Sequence, residues 1–249
     1  MPMMFAKRSM FRKSYPKDRT NYKRKQKSPW GYVPRNIRNS GLMSVEKKYF
    51  DTARANVLPV NFPTGNFDPL TVNTIFAPIQ GTGASDRTGT RTLIHSVHIN
   101  FEFRSELITD SGPTARLDPT VYIALVLDKQ TNATQPAPVD VWDAPASGQQ
   151  DLLVFRKIEN SQRFKVLWKT VQVANTTLTQ RTATNFSQTG ARIMMTCNKY
   201  FKNPIVCRHI GNGGTIGDIA ENSLHVFAWV RDSAHSDQLI YNARVRFTG

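Results

Sequence analysis

Between residues 95 and 103 the chain alternates without a break. Val97, Ile99, Phe101 and Phe103 are apolar, and Ser96, His98, Asn100 and Glu102 are polar. Successive side chains of a β-strand point to opposite faces, so this period of two describes a strand with one face buried and one face wet, and excludes a helix there. Residues 239–247 repeat the pattern, with Leu239, Tyr241, Ala243, Val245 and Phe247 on one side and Asn242, Arg244 and Arg246 on the other. The run VYIALVL at 121–127 is apolar at every position, which predicts a central strand covered on both faces. In RFKVLWKTVQV at 163–173, Phe164, Val166 and Trp168 share a parity that Val171 and Val173 break, so a bulge near Lys169 and Thr170 is expected to restore the register.

Further strands are expected at 45–51, 192–201, 205–209 and 224–231, about eight in all, with no convincing amphipathic helix and no internal repeat. The separators TDSGPTARLDP, QTNATQPAP and GNGGTIGD carry turn chemistry, and two connections are long, 59–91 and 133–160. A chain of 249 residues suffices for one substantial core. The expected fold is therefore all-β, a single eight-stranded antiparallel jelly roll. An immunoglobulin-like sandwich is the main alternative, and neither architecture names a function.

The charge is concentrated in one place. Residues 1–40 hold 12 basic side chains and one acidic, a net +11, whereas the other residues balance 21 basic against 17 acidic, a net +4. Such a segment buries too little apolar area to offset its ordering entropy, so it is expected to be a disordered arm until a polyanion binds it. The arm is assigned to 1–43 and the β domain to 44–249. Nucleic acid is the expected partner, through Lys7, Arg8, Arg12, Lys13, Lys17, Arg19, Lys23, Arg24, Lys25, Lys27, Arg35 and Arg38 on phosphates. Tyr15, Tyr22, Trp30 and Tyr32 are interleaved with them and suit stacking on unpaired bases; docking of Trp30 and Tyr32 on the core is the competing reading. Lys7, Arg8, Lys23, Arg24, Lys25 and Lys27 also fit a nuclear import signal. A mitochondrial transit peptide is disfavoured by Pro2, Pro16 and the charge continuing to Arg38.

No apolar run approaches the roughly 18 residues of a membrane span, and no signal-peptide core appears, so a soluble protein without membrane insertion is expected. Three Asn-x-Ser/Thr matches, at Asn132, Asn175 and Asn185, are read as incidental. GNGGTIG at 211–217 lacks the Gly-Lys-Ser/Thr ending of a phosphate loop. The five histidines fall on separate segments with no nucleophile at a recognisable spacing, so no enzyme and no cofactor is expected. Cys197, Cys207 and His209 are the best metal candidates, but the spacing is not that of a zinc finger and a fourth ligand is missing, which favours core thiols. Asp140 and Asp143 could bind calcium between subunits, with solvated loop carboxylates the alternative. Arg244 and Arg246 on one strand face could meet phosphate, or pair with carboxylates on a neighbouring strand.

Several ordered stretches resemble the capsid proteins of small circular single-stranded DNA viruses, the group that includes geminiviruses and circoviruses. SVEKKYFDT (44–52) is similar to their first core strand, DRTGTRTLIHSVHINFEF (86–103) to their Arg-x-Gly-x-Arg/Lys entry into a long strand, and VYIALVLDKQTNATQPAPVDVW (121–142) to the next strand with its Asp-Lys-Gln loop. RFKVLWKTVQV, ENSLHVFAWV and LIYNARVRF follow in the expected order. The resemblance implies a subunit of an icosahedral T=1 shell of about 60 copies, whose arms face the lumen and bring about 660 positive charges to packaged single-stranded DNA. Arg244, Arg246, Lys47 and Lys48 would add to that lining. It implies a virion protein that visits the host nucleus, with the import machinery and an unidentified host receptor as further partners. From composition alone RNA cargo, as in a small RNA or satellite virus, or a non-assembling single-strand-binding protein would fit equally. Phe62, Phe67, Leu70, Ile75 and Phe76 in the first long connection are expected either at subunit contacts or packed beneath the loop.

Overall fold

The computed structural model describes residues 47–58, 72–105, 108–110, 118–144, 154–175, 177–181, 186–231 and 237–249. In chain order its strands are β1 (Lys48–Val57), β2 (Val72–Thr74), β3 (Arg91–Arg104), β4 (Ile108–Asp110), β5 (Thr120–Asp128), β6 (Phe164–Val173), β7 (Thr177–Arg181), β8 (Phe186–Thr189), β9 (Arg192–His209), β10 (Ile219–Glu221), β11 (Ser223–Arg231) and β12 (Gln238–Thr248). Helix is confined, among these residues, to one α turn at Pro138–Val141 and one 3₁₀ turn at Ile216–Asp218.

Two antiparallel sheets pack face to face. One runs β1-β12-β3-β9-β10 and the other β2-β11-β5-β6, while β4-β8-β7 form a small third sheet. Leaving out the short edge strand β10 and the third sheet, the remaining eight strands taken in chain order run 1-8-3-6 in one sheet and 2-7-4-5 in the other, the strand order of a jelly roll. The sandwich thus has nine strands among the described residues, not eight. The expected segments 192–201 and 205–209 are one strand, β9, which continues past Pro204 through an irregularity opposite His95, and β2 and β10 lie in segments read as turn or connection.

The core follows from the alternation. Val97, Ile99, Phe101 and Phe103 of β3 and Leu239, Tyr241, Ala243, Val245 and Phe247 of β12 meet Val121, Ile123, Leu125 and Leu127 of β5 between the sheets. The other parity of β5, namely Tyr122, Ala124 and Val126, is covered as well, by Trp142 from the second long connection together with Phe227 and Trp229 of β11. Trp142 meets the rings of Tyr122, Phe227 and Trp229 edge-on at 5.8, 5.0 and 5.3 Å, and Tyr122 stacks on Trp229 at 4.0 Å. This outer cluster explains why 121–127 has no polar face.

The bulge in β6 exists, two residues before the expected place. Leu125 pairs with Trp168 and Val126 with Val166, leaving Leu167 as the extra residue. Phe164 and Val166 therefore face the outer cluster while Trp168 is turned into the space between the sheets. The bulge redirects one tryptophan, and Val171 and Val173 beyond it remain exposed.

Candidate nucleic-acid interface

The basic residues from Lys7 to Arg38, with Tyr22, lie outside the described residues. Of the expected phosphate contacts the domain holds Arg244 and Arg246, both on the outer face of the five-stranded sheet. Register sets their neighbours: Tyr49 of β1 is opposite Arg246 of β12, which is opposite Ser96 of β3, which is opposite Tyr200 of β9. The next rung is Asp51, Arg244, His98 and Asn198, and the one after it Ala53, Asn242, Asn100 and Thr196.

Arg244 and Arg246 share this face, as their parity predicts, but they are not equivalent. Arg244 donates from Nε and Nη2 to the two oxygens of Asp51 at 2.7 and 2.6 Å and sits 5.7 Å from the Tyr49 ring centre. The hydrogen-bonded guanidinium holds the Asp51 carboxyl below the usual range. Arg246 has no carboxylate partner among the described residues, and its buried Nε donates to nothing there. Beside it, His95 is held below the ordinary imidazole value by burial first and by the positive charges of Arg246 and Lys47 second. Farther along, Glu102 accepts from both Arg104 and Arg192. The two carboxylates named here, Asp51 and Glu102, are therefore spent on arginines, and the charge left uncompensated is positive.

Small side chains leave room in the middle of the face, where a shallow depression of about 540 Å³ is lined by Asp51, Ala53, His98, Asn100, Asn242 and Arg244. On either side stand Tyr49, 48% exposed, and Tyr200, 76% exposed. Neither tyrosine carries a motif or a charge cluster that marks it in the sequence. The outward parity of Met194, Thr196, Asn198 and Tyr200 was a signal for the second.

The remaining candidates have structural employment. Lys47 is exposed, but Lys48 is buried and donates to the carbonyls of Gly83 and Asp86 at 3.2 and 2.9 Å, so it does not line this face. Arg87 of the Arg-x-Gly-x-Arg stretch is also buried. It donates to the carbonyls of Pro78, Gly89 and Gly211, tying three loop segments together. The glycine-rich loop is thereby a clamp point, and Asp218 closes it by accepting from the Thr215 amide at 2.8 Å.

Cys197 and Cys207 are free thiols buried in the core, and burial pushes them up to about 11 and about 12. His209 lies 3.1 Å from the Thr92 hydroxyl, and burial lowers it to about 4. No cluster of three or more His, Cys, Asp or Glu with metal-binding geometry occurs among the described residues. Asp140 accepts from the Ala137 amide at 2.8 Å, which fastens the turn that carries Trp142. Ile75 and Phe76 are buried beneath their loop; Phe62, Phe67 and Leu70 lie outside the described residues.

No curated protein matches the chain. Among solved structures, the BFDV capsid protein, crystallised as a 60-mer, aligns over 82% of this chain and 92% of its own at 8% identity, with a TM-score of 0.33. The sequence model of the geminivirus coat protein/nuclear export factor BR1 family matches residues 3–249. The chain belongs to that family.

Proposed function

We propose that the protein is the structural, non-enzymatic subunit of an icosahedral T=1 shell of about 60 copies, and that residues 1–43 hold circular single-stranded DNA inside it. The observation that carries this reading is the split of charge, +11 on residues 1–40 against +4 on all the rest. A domain that needed the charge for its own fold would distribute and pair it. A terminal segment with almost no carboxylates instead favours phosphate neutralisation with counterion release, which is indifferent to sequence and suits a whole genome. The same clusters, Lys7, Arg8, Lys23, Arg24, Lys25 and Lys27, serve nuclear import, which places the protein in the host nucleus before it enters the virion.

Electron microscopy of the purified full-length protein, with nuclease-protected nucleic acid extracted and typed, tests this. Closed, uniform particles holding protected single-stranded DNA are expected. Small oligomers that bind DNA without closing, across salt and pH, would move the protein to the nuclear export side of its family.

A further inference from the structure

The outer face of the five-stranded sheet holds a second kind of feature that the packaging charge does not use. Phosphate neutralisation needs only cations, yet this face also exposes three large hydrophobic side chains, Tyr200, Met194 and Tyr49. Around Tyr200, β9 pairs with β3 alone, because β10 reaches only Arg208 and His209, and a tyrosine this exposed is an expensive surface for a sheet that faces only water. Tyr49 and Tyr200 stand at the two ends of one cross-strand rung, three strand spacings or about 14 Å apart. Between them are Ser96 and the carboxylate-free Arg246, and beside them the depression lined by hydrogen-bonding Asn100, Asn242 and His98.

The geometry points to a stacking platform for the unpaired bases of single-stranded nucleic acid, with Tyr49 and Tyr200 as the stacking side chains and Arg246 as the cation that meets the strand between them. The inference rests on the packaging role and adds to it a way of telling single strands from duplex. Every base has a π face, so stacking is tolerant of sequence, but a base inside a duplex cannot present that face. The occupant is argued from charge and chemistry together: a face whose uncompensated charge is positive excludes a basic partner and suits a polyanion, and exposed tyrosines beside that charge suit one with unpaired bases. One side of the Tyr49 ring is taken by Arg244, so Tyr200 is the freer of the two.

The test uses the full-length protein with a labelled oligothymidine of about 15 nucleotides and a duplex of equal length, titrated over a range of salt. Tyr200→Ala should weaken single-strand binding about fivefold to a hundredfold, leave duplex binding unchanged, and keep the salt slope, because the phosphate contacts remain. Tyr200→Phe should bind as the parent does, since the ring is kept. Single-strand binding by Tyr49→Ala and Tyr200→Ala that equals the parent's, or a parallel loss on single strand and duplex, would overturn the platform. The variant with Lys23, Arg24, Lys25 and Lys27 changed to Gln separates the two readings. If it loses affinity and salt slope while the tyrosine variants lose nothing, the platform fails and packaging by the arm stands; if it too binds as the parent does, the packaging reading fails.

Discussion

Trp168 lies flat on Phe101, ring planes 2° apart and centres at 5.6 Å, and so joins β6 of one sheet to β3 of the other. The contact exists only because the extra residue Leu167 reverses the parity of β6. Trp168→Ala should cost about 2–4 kcal/mol, somewhat below the range for a fully buried tryptophan because this one is half-buried, and Trp168→Phe should recover more than half. Urea unfolding of unassembled protein measures both; equal losses would mean that the stacking contributes nothing specific.

Asp128 is fully buried at the end of β5 and accepts from Nε and Nη2 of Arg163 at 2.9 and 2.8 Å. The Asp-Lys-Gln stretch is thus a pinned turn, with the Gln130 amide donating to the same carboxylate. Arg163→Met leaves the carboxylate without its counter-charge and should cost about 2 kcal/mol, less than a wholly buried pair because 26% of the Arg163 side chain reaches water. Asp128→Asn combined with Arg163→Met should be milder than Arg163→Met alone. The double-mutant cycle by chemical denaturation decides it.

Two buried histidines make the domain acid-sensitive. Burial lowers His209 to about 4 and His225 to about 3, the latter bonded to Ser223 at 2.6 Å and next to Thr74 at 3.2 Å. The unfolded chain takes up protons near pH 6.5 that the folded one refuses, so their stabilisation is complete above that pH and falls as pH drops towards 4 and 3. Arg87 and Asp218 act on His209 with opposite signs, and Arg163 adds to the lowering of His225. Between pH 6.5 and 5 each should remove about 2 kcal/mol, and His225→Gln should flatten its share of the slope. Unfolding free energies measured at pH 7 and pH 5 on parent and variant would reveal an unchanged slope if the histidine were not responsible.

Freeing Arg244 should strengthen DNA binding. Asp51 neutralises it in the free protein, so Asp51→Asn should tighten single-strand binding and steepen the salt dependence by about 0.7 in log–log slope, one added phosphate contact. An unchanged slope in an anisotropy titration would mean that Arg244 does not reach the strand.

Replacing Lys23, Arg24, Lys25 and Lys27 with Gln should reduce that slope by about 3 and lower nuclear accumulation of a fused reporter. Normal accumulation would place the import signal elsewhere.

The strands that alternate or that are apolar throughout were legible because burial imposes a period on them: β3, β5, β11 and β12 fall within a few residues of their expected bounds. Three-residue strands such as β2 and β10 are too short to have a period, and the irregularity beside His95 joins 192–201 and 205–209, expected as two strands, into one. Parity placed Arg244 and Arg246 on one face. It could not say that Asp51 would reach one and leave the other, because that depends on which residue of β1 is opposite which of β12, nearly the full length of the domain away. Tyr49 and Tyr200 share a rung for the same reason, invisible before the strands are laid side by side.

β1 pairs along its whole length with β12, from Lys48 beside Phe247 to Val57 beside Gln238. On a ribosome adding about 5–20 residues per second, the strand nearest the basic segment has no partner until the last strand emerges, on the order of ten seconds or more later. Through that interval each nascent chain keeps its five-stranded sheet incomplete, and the outer face that holds Tyr49 and Arg246 does not yet exist. Emergence of β12 therefore times the closing of the five-stranded sheet, and a chain stalled before residue 238 would expose an unpaired sheet edge to its neighbours on the same message.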